Sequence, residues 1–241
     1  MTARPALVVC AHGTDDPDGR ATTLAIAAAA RERLPGVEVR DAYVDVQTPV
    51  LGDVVDALVA AHHAVVVVPV LLTLGYHVEV DVEEAVGRHP GHAVSTGPLG
   101  PHEALVDALV DRLSEAGVDP FVPVVVAVAG SSRPAAIGVV LGVGESLGRR
   151  RPGSVTVGFL AAASPSVPEA VAALRSGGGG SGGPGAVERV ALASYLIGRG
   201  FFQRKLNRSG GDVVTEPLGP HPRLIDVVVE RYEQGCRRRG W

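Results

Sequence analysis

Short apolar runs alternate with amphipathic stretches along the whole chain. The runs at 6–11, 37–43, 64–70 and 93–96 are rich in valine and bounded by turn residues. That pattern predicts strands buried on both faces. Between them, Ala21–Arg33 and Leu51–Ala61 repeat their apolar positions with the helical period. Alternating strand and helix units imply a parallel sheet built with right-handed crossovers.

The pattern is written twice. Val94-Ser-Thr-Gly-Pro-Leu-Gly-Pro-His102 recurs as Val213-Val-Thr-Glu-Pro-Leu-Gly-Pro-His221. Each copy leads into a similar helical stretch, Ala104–Leu113 and Arg223–Tyr232. In that register Ala6–Thr14 matches 124–131, the segment up to Pro49 matches that up to Pro165, and 65–77 matches 190–202. The expectation is an α/β chain of two similar Rossmann-like domains, each a four-stranded parallel sheet flanked by helices. They would be 1–118 and 119–241, divided near Gly117–Pro120. The segment 176–185 is almost all glycine and serine, and reads as a flexible surface insertion in the second domain.

Composition narrows the function. Apolar residues are 46% of the 241 and aromatic ones only 4%, so Ala, Val and Leu must pack the core. The formal charge of −4 speaks against a general nucleic-acid binder. The basic run Arg237–Arg239 reads as a solvated tail. Two cysteines are too few for a disulfide framework, and Cys10, inside an apolar run, reads as a core residue. Neither a secretory signal nor a stretch long enough to span a bilayer is visible, which points to the cytoplasm.

In open parallel sheets, ligands sit at the carboxyl ends of the strands. Three apolar runs end in chemistry: His12-Gly-Thr14, then Tyr43-Val-Asp45, then Thr73-Leu-Gly-Tyr-His77 followed by Glu79 and Asp81. Two imidazoles and a carboxylate at one sheet edge suit a divalent transition metal, and leave coordination positions open. Imidazole is also a proton acceptor near neutral pH. Other readings stand beside these: either histidine as a hydrogen-bonded loop residue, Asp45 as the cap of the helix after Pro49, and Asp81 as a first-turn acidic residue. His102 and His221 follow the same motif in both halves and read as scaffold. His62, His63, His89 and His92 read as surface residues. The second half has Ala129 opposite His12 and Phe202 opposite His77, and offers Ser131, Ser132, Arg133, Arg199, Arg204 and Lys205 instead. A cationic lip of that kind suits an anionic small molecule.

The blocks Val8-Val-Cys-Ala-His-Gly-Thr14, Tyr43-Val-Asp-Val-Gln-Thr-Pro49 and Val67–Asp81 occur in one order and span the N-terminal half. They resemble the sirohydrochlorin cobalto/ferrochelatase family, in its two-domain form with a degenerate second domain. The resemblance implies two chelatase-like domains and insertion of Fe2+ or Co2+ into sirohydrochlorin, for siroheme or cobalamin. It implies that His12 and His77 bind the metal and assist removal of pyrrole protons, with an acidic partner at position 45. There the family commonly has Glu, and this chain has the shorter Asp45. Thr14 and Tyr76 within the blocks, with Arg133, Arg199, Arg204 and Lys205, are the candidates for holding the substrate. The implied metal is a substrate, no organic cofactor or membrane or nucleic-acid partner is implied, and one chain of two domains suggests a monomer. A metal or tetrapyrrole carrier is the alternative, and a metal-dependent hydrolase, needing a third ligand, ranks below it.

Overall fold

The computed structural model describes residues 4–62, 64–73, 75–177 and 187–241. The expected insertion falls largely at 178–186, and the surface placement of His63 at residue 63; both lie outside the described residues. Among the described residues, sixteen elements alternate between strand and helix.

The first sheet runs β2-β1-β3-β4, from β1 (Ala6–Ala11), β2 (Val39–Tyr43), β3 (Val65–Pro69) and β4 (Ala93–Ser95). All of its pairings are parallel. Every residue of β1 and β3 is buried, as the unbroken valine runs require when helices cover both faces. Ala6, Val8, Cys10, Val65 and Val67 meet α2 (Leu51–His62) and α3 (Tyr76–Gly87) through Leu51, Val55, Leu58, Val78, Val82 and Ala85. Helix α1 (Pro17–Arg33) begins at Asp16, whose carboxylate accepts from the Asp18 and Gly19 N–H groups. Such a cap stabilises a helix by about 1 kcal/mol.

The second sheet repeats the first in order β6-β5-β7-β8, again all parallel. Its strands are β5 (Val124–Val128), β6 (Val155–Phe159), β7 (Ala191–Tyr195) and β8 (Val213–Val214). Helices α5 (Pro134–Gly148), α6 (Val167–Arg175) and α7 (Phe201–Leu206) follow in the positions of α1, α2 and α3. The fold class read from the sequence is therefore the one observed.

The packing units differ from the sequence repeats. One compact unit is Met1–His102 with Gly219–Trp241, and the other is Glu103–Leu218. The boundary expected near 117–120 is displaced because each unit takes its fourth helix from the other repeat. Helix α4 (Glu103–Glu115) packs on β7 and α5, whereas α8 (Pro222–Arg239) packs on β3, β4 and α1. Two matched hydrogen bonds mark the exchange. Arg231 Nε of α8 donates to the Pro98 carbonyl at 2.9 Å, and Arg112 Nε of α4 to that of Pro217 at 3.0 Å. Each repeated Pro-Leu-Gly-Pro segment is thus gripped by the helix that follows the other copy. His221 caps α8, its Nδ1 accepting the Arg223 N–H at 3.2 Å, and His102 Nε2 lies 3.1 Å from Glu230 of α8.

The basic run at 237–239 is exposed, as expected, but is no loose tail. It forms the last turn of α8, where Arg238 and Arg239 donate to the Ser95 and Ala93 carbonyls. β4 is an edge strand, and its outward carbonyls find partners there. His89 is likewise no simple surface residue: its ring is half-buried and 2.6 Å from Asp56. Among the described residues, no helix is long and apolar enough to cross a membrane.

Helix α8 reaches its sheet because residue 235 has no side chain. A Cβ on Gly235 would lie 2.5 Å from Val66 Cγ1 and 3.2 Å from Thr96 Cγ2. Gly235→Leu is therefore expected to destabilise the protein by about 1–3 kcal/mol, seen as a lower urea midpoint. A midpoint equal to that of the parent would contradict this seating of α8.

Candidate functional site

In the first sheet the chain runs from β1 to β2 on one side and then returns to β3 on the other side of β1. The carboxyl ends of β1 and β3 therefore flank the point where the strand order reverses, where open α/β sheets bind ligands. His12 follows β1 directly and is exposed. Asp45 follows β2, also exposed. His77 follows β3, not in a loop as expected but in the first turn of α3, whose N-cap is Gly75. The alternating Val78, Val80 and Val82 hid this start; Val78, Val82 and Ala85 are the buried, helix-spaced set. For Tyr76 and His77 the backbone is described and the side chains are not. Glu79 is the acidic residue of that first turn, and Asp81 lies beyond it.

Backbone geometry binds the His12 and Asp45 loops together. The sheet ladder continues past the strand ends, with Val44 N–H donating to Ala11 O and Asp45 N–H to His12 O at 2.9 Å. Gly13 then turns away with φ +102°, and a Cβ there would sit 1.9 Å from the Asp45 carbonyl oxygen. Only glycine fits both the angle and the gap. On the facing loop Val46 has φ 63°, unusual for a β-branched residue and costing about 1–3 kcal/mol. Its N–H donates to Asp45 Oδ1 at 2.7 Å. The Asp45 carboxylate thus folds onto its own loop and does not cap the helix after Pro49.

Further side chains hold this edge in place, and the sequence reading passed them over. Gln47 Oε1 accepts the Thr14 N–H at 2.8 Å, and Arg20 Nε donates to the Thr14 carbonyl at 2.8 Å. The Thr14 hydroxyl in turn accepts the Asp16 N–H at 3.1 Å, so Thr14 serves its own loop. Tyr43 is buried and donates to Asp41 Oδ2 at 2.9 Å. Burial, then the Asp41 hydrogen bond and charge, push its hydroxyl up to about 12. The alternation of Asp41 and Tyr43 on one side of β2 was the available signal. Burial, with a smaller contribution from Asp81, pushes the Cys10 thiol up to about 12. It stays protonated at neutral pH and belongs to the core, as expected.

The second unit has the same edge with other residues on it. Gly130 has φ +104°, and a Cβ there would lie 1.8 Å from the Ala161 carbonyl oxygen; Ala162 has φ 60°. Ala129 and Ala161 thus stand where His12 and Asp45 stand. Arg133 is exposed at the N-cap of α5. Arg199 is paired with Glu216 at 2.9 Å. Arg204 is exposed on α7, and Lys205 Nζ donates to the Leu160 carbonyl. Arg199 and Lys205 are therefore engaged within their own unit. Among the described residues, no group of three or more His, Cys, Asp or Glu side chains is gathered as a metal cluster.

The family profile of CbiX matches residues 6–116 and again residues 123–235. Among curated proteins, none matches the sequence. The fold is similar to that of SirB from Bacillus subtilis with Fe3+, with a TM-score of 0.80, 19% identity and 98% of each chain covered. It is similar also to the sirohydrochlorin chelatase SirB from Bacillus subtilis subspecies spizizenii in complex with cobalt. There the TM-score is 0.78 at 16% identity, covering 98% of this chain and 96% of that one. A multi-domain Deinococcus radiodurans protein, DR2241, with structural similarity to chelatases, gives a TM-score of 0.71 at 24% identity. That match covers 95% of this chain and 54% of that one.

The close approach at the two glycines makes a paired prediction. Gly13→Ala and Gly130→Ala are each expected to lower unfolding free energy by about 2–3 kcal/mol, measured by chemical denaturation. Parent-like stability of either variant would contradict the backbone geometry at that turn.

Proposed function

Since the chain belongs to the CbiX family across both of its halves, we propose that it inserts a divalent metal ion, Fe2+ or Co2+, into sirohydrochlorin. One observation carries the reading: among the described residues, the first unit has an imidazole after β1, at the reversal point of its sheet, and a carboxylate after the neighbouring β2, where the second unit has Ala129 and Ala161. The SirB structures of similar fold, with Fe3+ and with cobalt, support the choice of metal and macrocycle.

In this reading His12 and His77 receive the metal, which is a substrate. Neutral imidazole suits iron and cobalt, and two such ligands hold the ion loosely enough to pass it on. As the metal enters the ring, two pyrrole N–H protons must leave. A neutral imidazole or the Asp45 carboxylate beside the ring accepts them. Asp45 Oδ1 already accepts the Val46 N–H, so Oδ2 is the atom assigned to this task. Thr14 and Tyr76 of the same unit are assigned to the substrate. The protein works as a cytoplasmic monomer, with no organic cofactor.

The test follows sirohydrochlorin absorbance after adding Co2+ or Fe2+. The parent is expected to accelerate the spectral change to the metallated ring. His12→Ala and His77→Ala are each expected to slow it by about a hundredfold or more, with unchanged circular dichroism. Binding of both substrates without acceleration would favour a carrier, and parent-like turnover of either variant would remove that histidine from the site.

A further inference from the structure

His12 and Asp45 stand on separate loops, and one amide side chain joins those loops. Gln47 Oε1 accepts the Thr14 N–H at 2.8 Å. The same side chain lies beside Tyr43. Tyr43, 2% exposed, is anchored in turn by Asp41. Polar groups thus lead from inside the sheet edge, past Gln47, to the backbone two residues beyond His12.

The second unit supplies an internal comparison. Strand register sets Tyr43 against Phe159 and Asp41 against Val157. The matched bridges Tyr43↔Val50 and Phe159↔Ser166 set Gln47 against Ala163. The second unit makes the same glycine turn and the same left-handed residue, yet has none of these polar groups. The turn therefore folds without them. Burying polar groups is costly unless all are satisfied, and apolar residues suffice in the unit without the imidazole. The polar version stands only where His12 and Asp45 stand.

We infer that Gln47 is a positioning residue, holding the His12 loop in fixed register with the Asp45 loop for metal transfer. This rests on the proposed metal insertion at those residues. Geometry matters here because a displacement of about 1 Å in a reacting group can cost up to a hundredfold in rate.

Full-length parent, Gln47→Ala, Gln47→Glu and His12→Ala are compared, with Co2+ as the probe. The readouts are the visible absorption of bound Co2+, kcat and KM with sirohydrochlorin, and the thermal midpoint. Gln47→Ala is expected to alter the Co2+ spectrum and lower kcat about tenfold, with KM for sirohydrochlorin changed less than about twofold. Gln47→Glu keeps an acceptor for the Thr14 N–H, and is expected to recover most of the loss. It also carries the test if the alanine variant fails to fold. A parent-like spectrum and kcat in Gln47→Ala would overturn the inference, whether or not its thermal midpoint fell. If His12→Ala also kept the parent spectrum and turnover, the metal-site reading itself would fail, and this inference with it.

Discussion

Where β1 and β2 end, the Gly13 backbone comes so close to the Asp45 carbonyl that a Cβ would stand 1.9 Å from the oxygen. This contact fixes the strand-end edge of the first unit. It brings the loop after β1 against the loop after β2, and the Asp45 N–H to His12 O bond locks their register. Glycine with φ +102° on one side and a valine with φ 63° on the other are the local conformations it demands. Such strain persists only where the surrounding structure over-determines it. Here the buried strands below provide that rigidity.

The same contact recurs at Gly130 and Ala161, so the chain contains its own comparison. Scaffold and chemistry separate cleanly between the two units. Sheet order, the glycine turn and the left-handed residue are common to both, and belong to the fold. His12, Asp45, Asp41, Tyr43 and Gln47 have counterparts of other chemistry in the second unit, and are the residues to which we assign the proposed chemistry. Helix exchange binds the two repeats into one protein. With α8 seated on β3 and β4, and α4 on β7, neither repeat as written in the sequence completes a unit from its own helices.

Much of this was legible beforehand. Valine runs suited to burial on both faces pointed to a parallel sheet, and the repeated Pro-Leu-Gly-Pro motif exposed the duplication. The strand-end positions of His12 and Asp45 followed from the same alternation. What escaped was whatever depends on partners distant in sequence. A periodic pattern tells that Arg223–Tyr232 is helical, but not which sheet its apolar stripe meets; that depends on Gly235 fitting over Val66. Arg238 and Arg239 looked like solvated charge until β4 supplied carbonyls. Arg199 and Lys205 looked available until Glu216 and Leu160 were placed beside them. Gln47 carries no chemical signature of its own, and its part emerges only once two loops close around Thr14.

The central claim is that metal is received at the strand ends of the first unit, by His12 together with His77. Its most direct test is a histidine-resolved NMR titration of the full-length protein with Co2+. The paramagnetic ion broadens the ring resonances nearest to it, and the chain has only 8 histidines to assign. The account predicts that His12 and His77 broaden first and together, while His89, His102 and His221 keep their line widths until much higher Co2+. Early broadening of His89 or His102, with His12 unaffected, would contradict it.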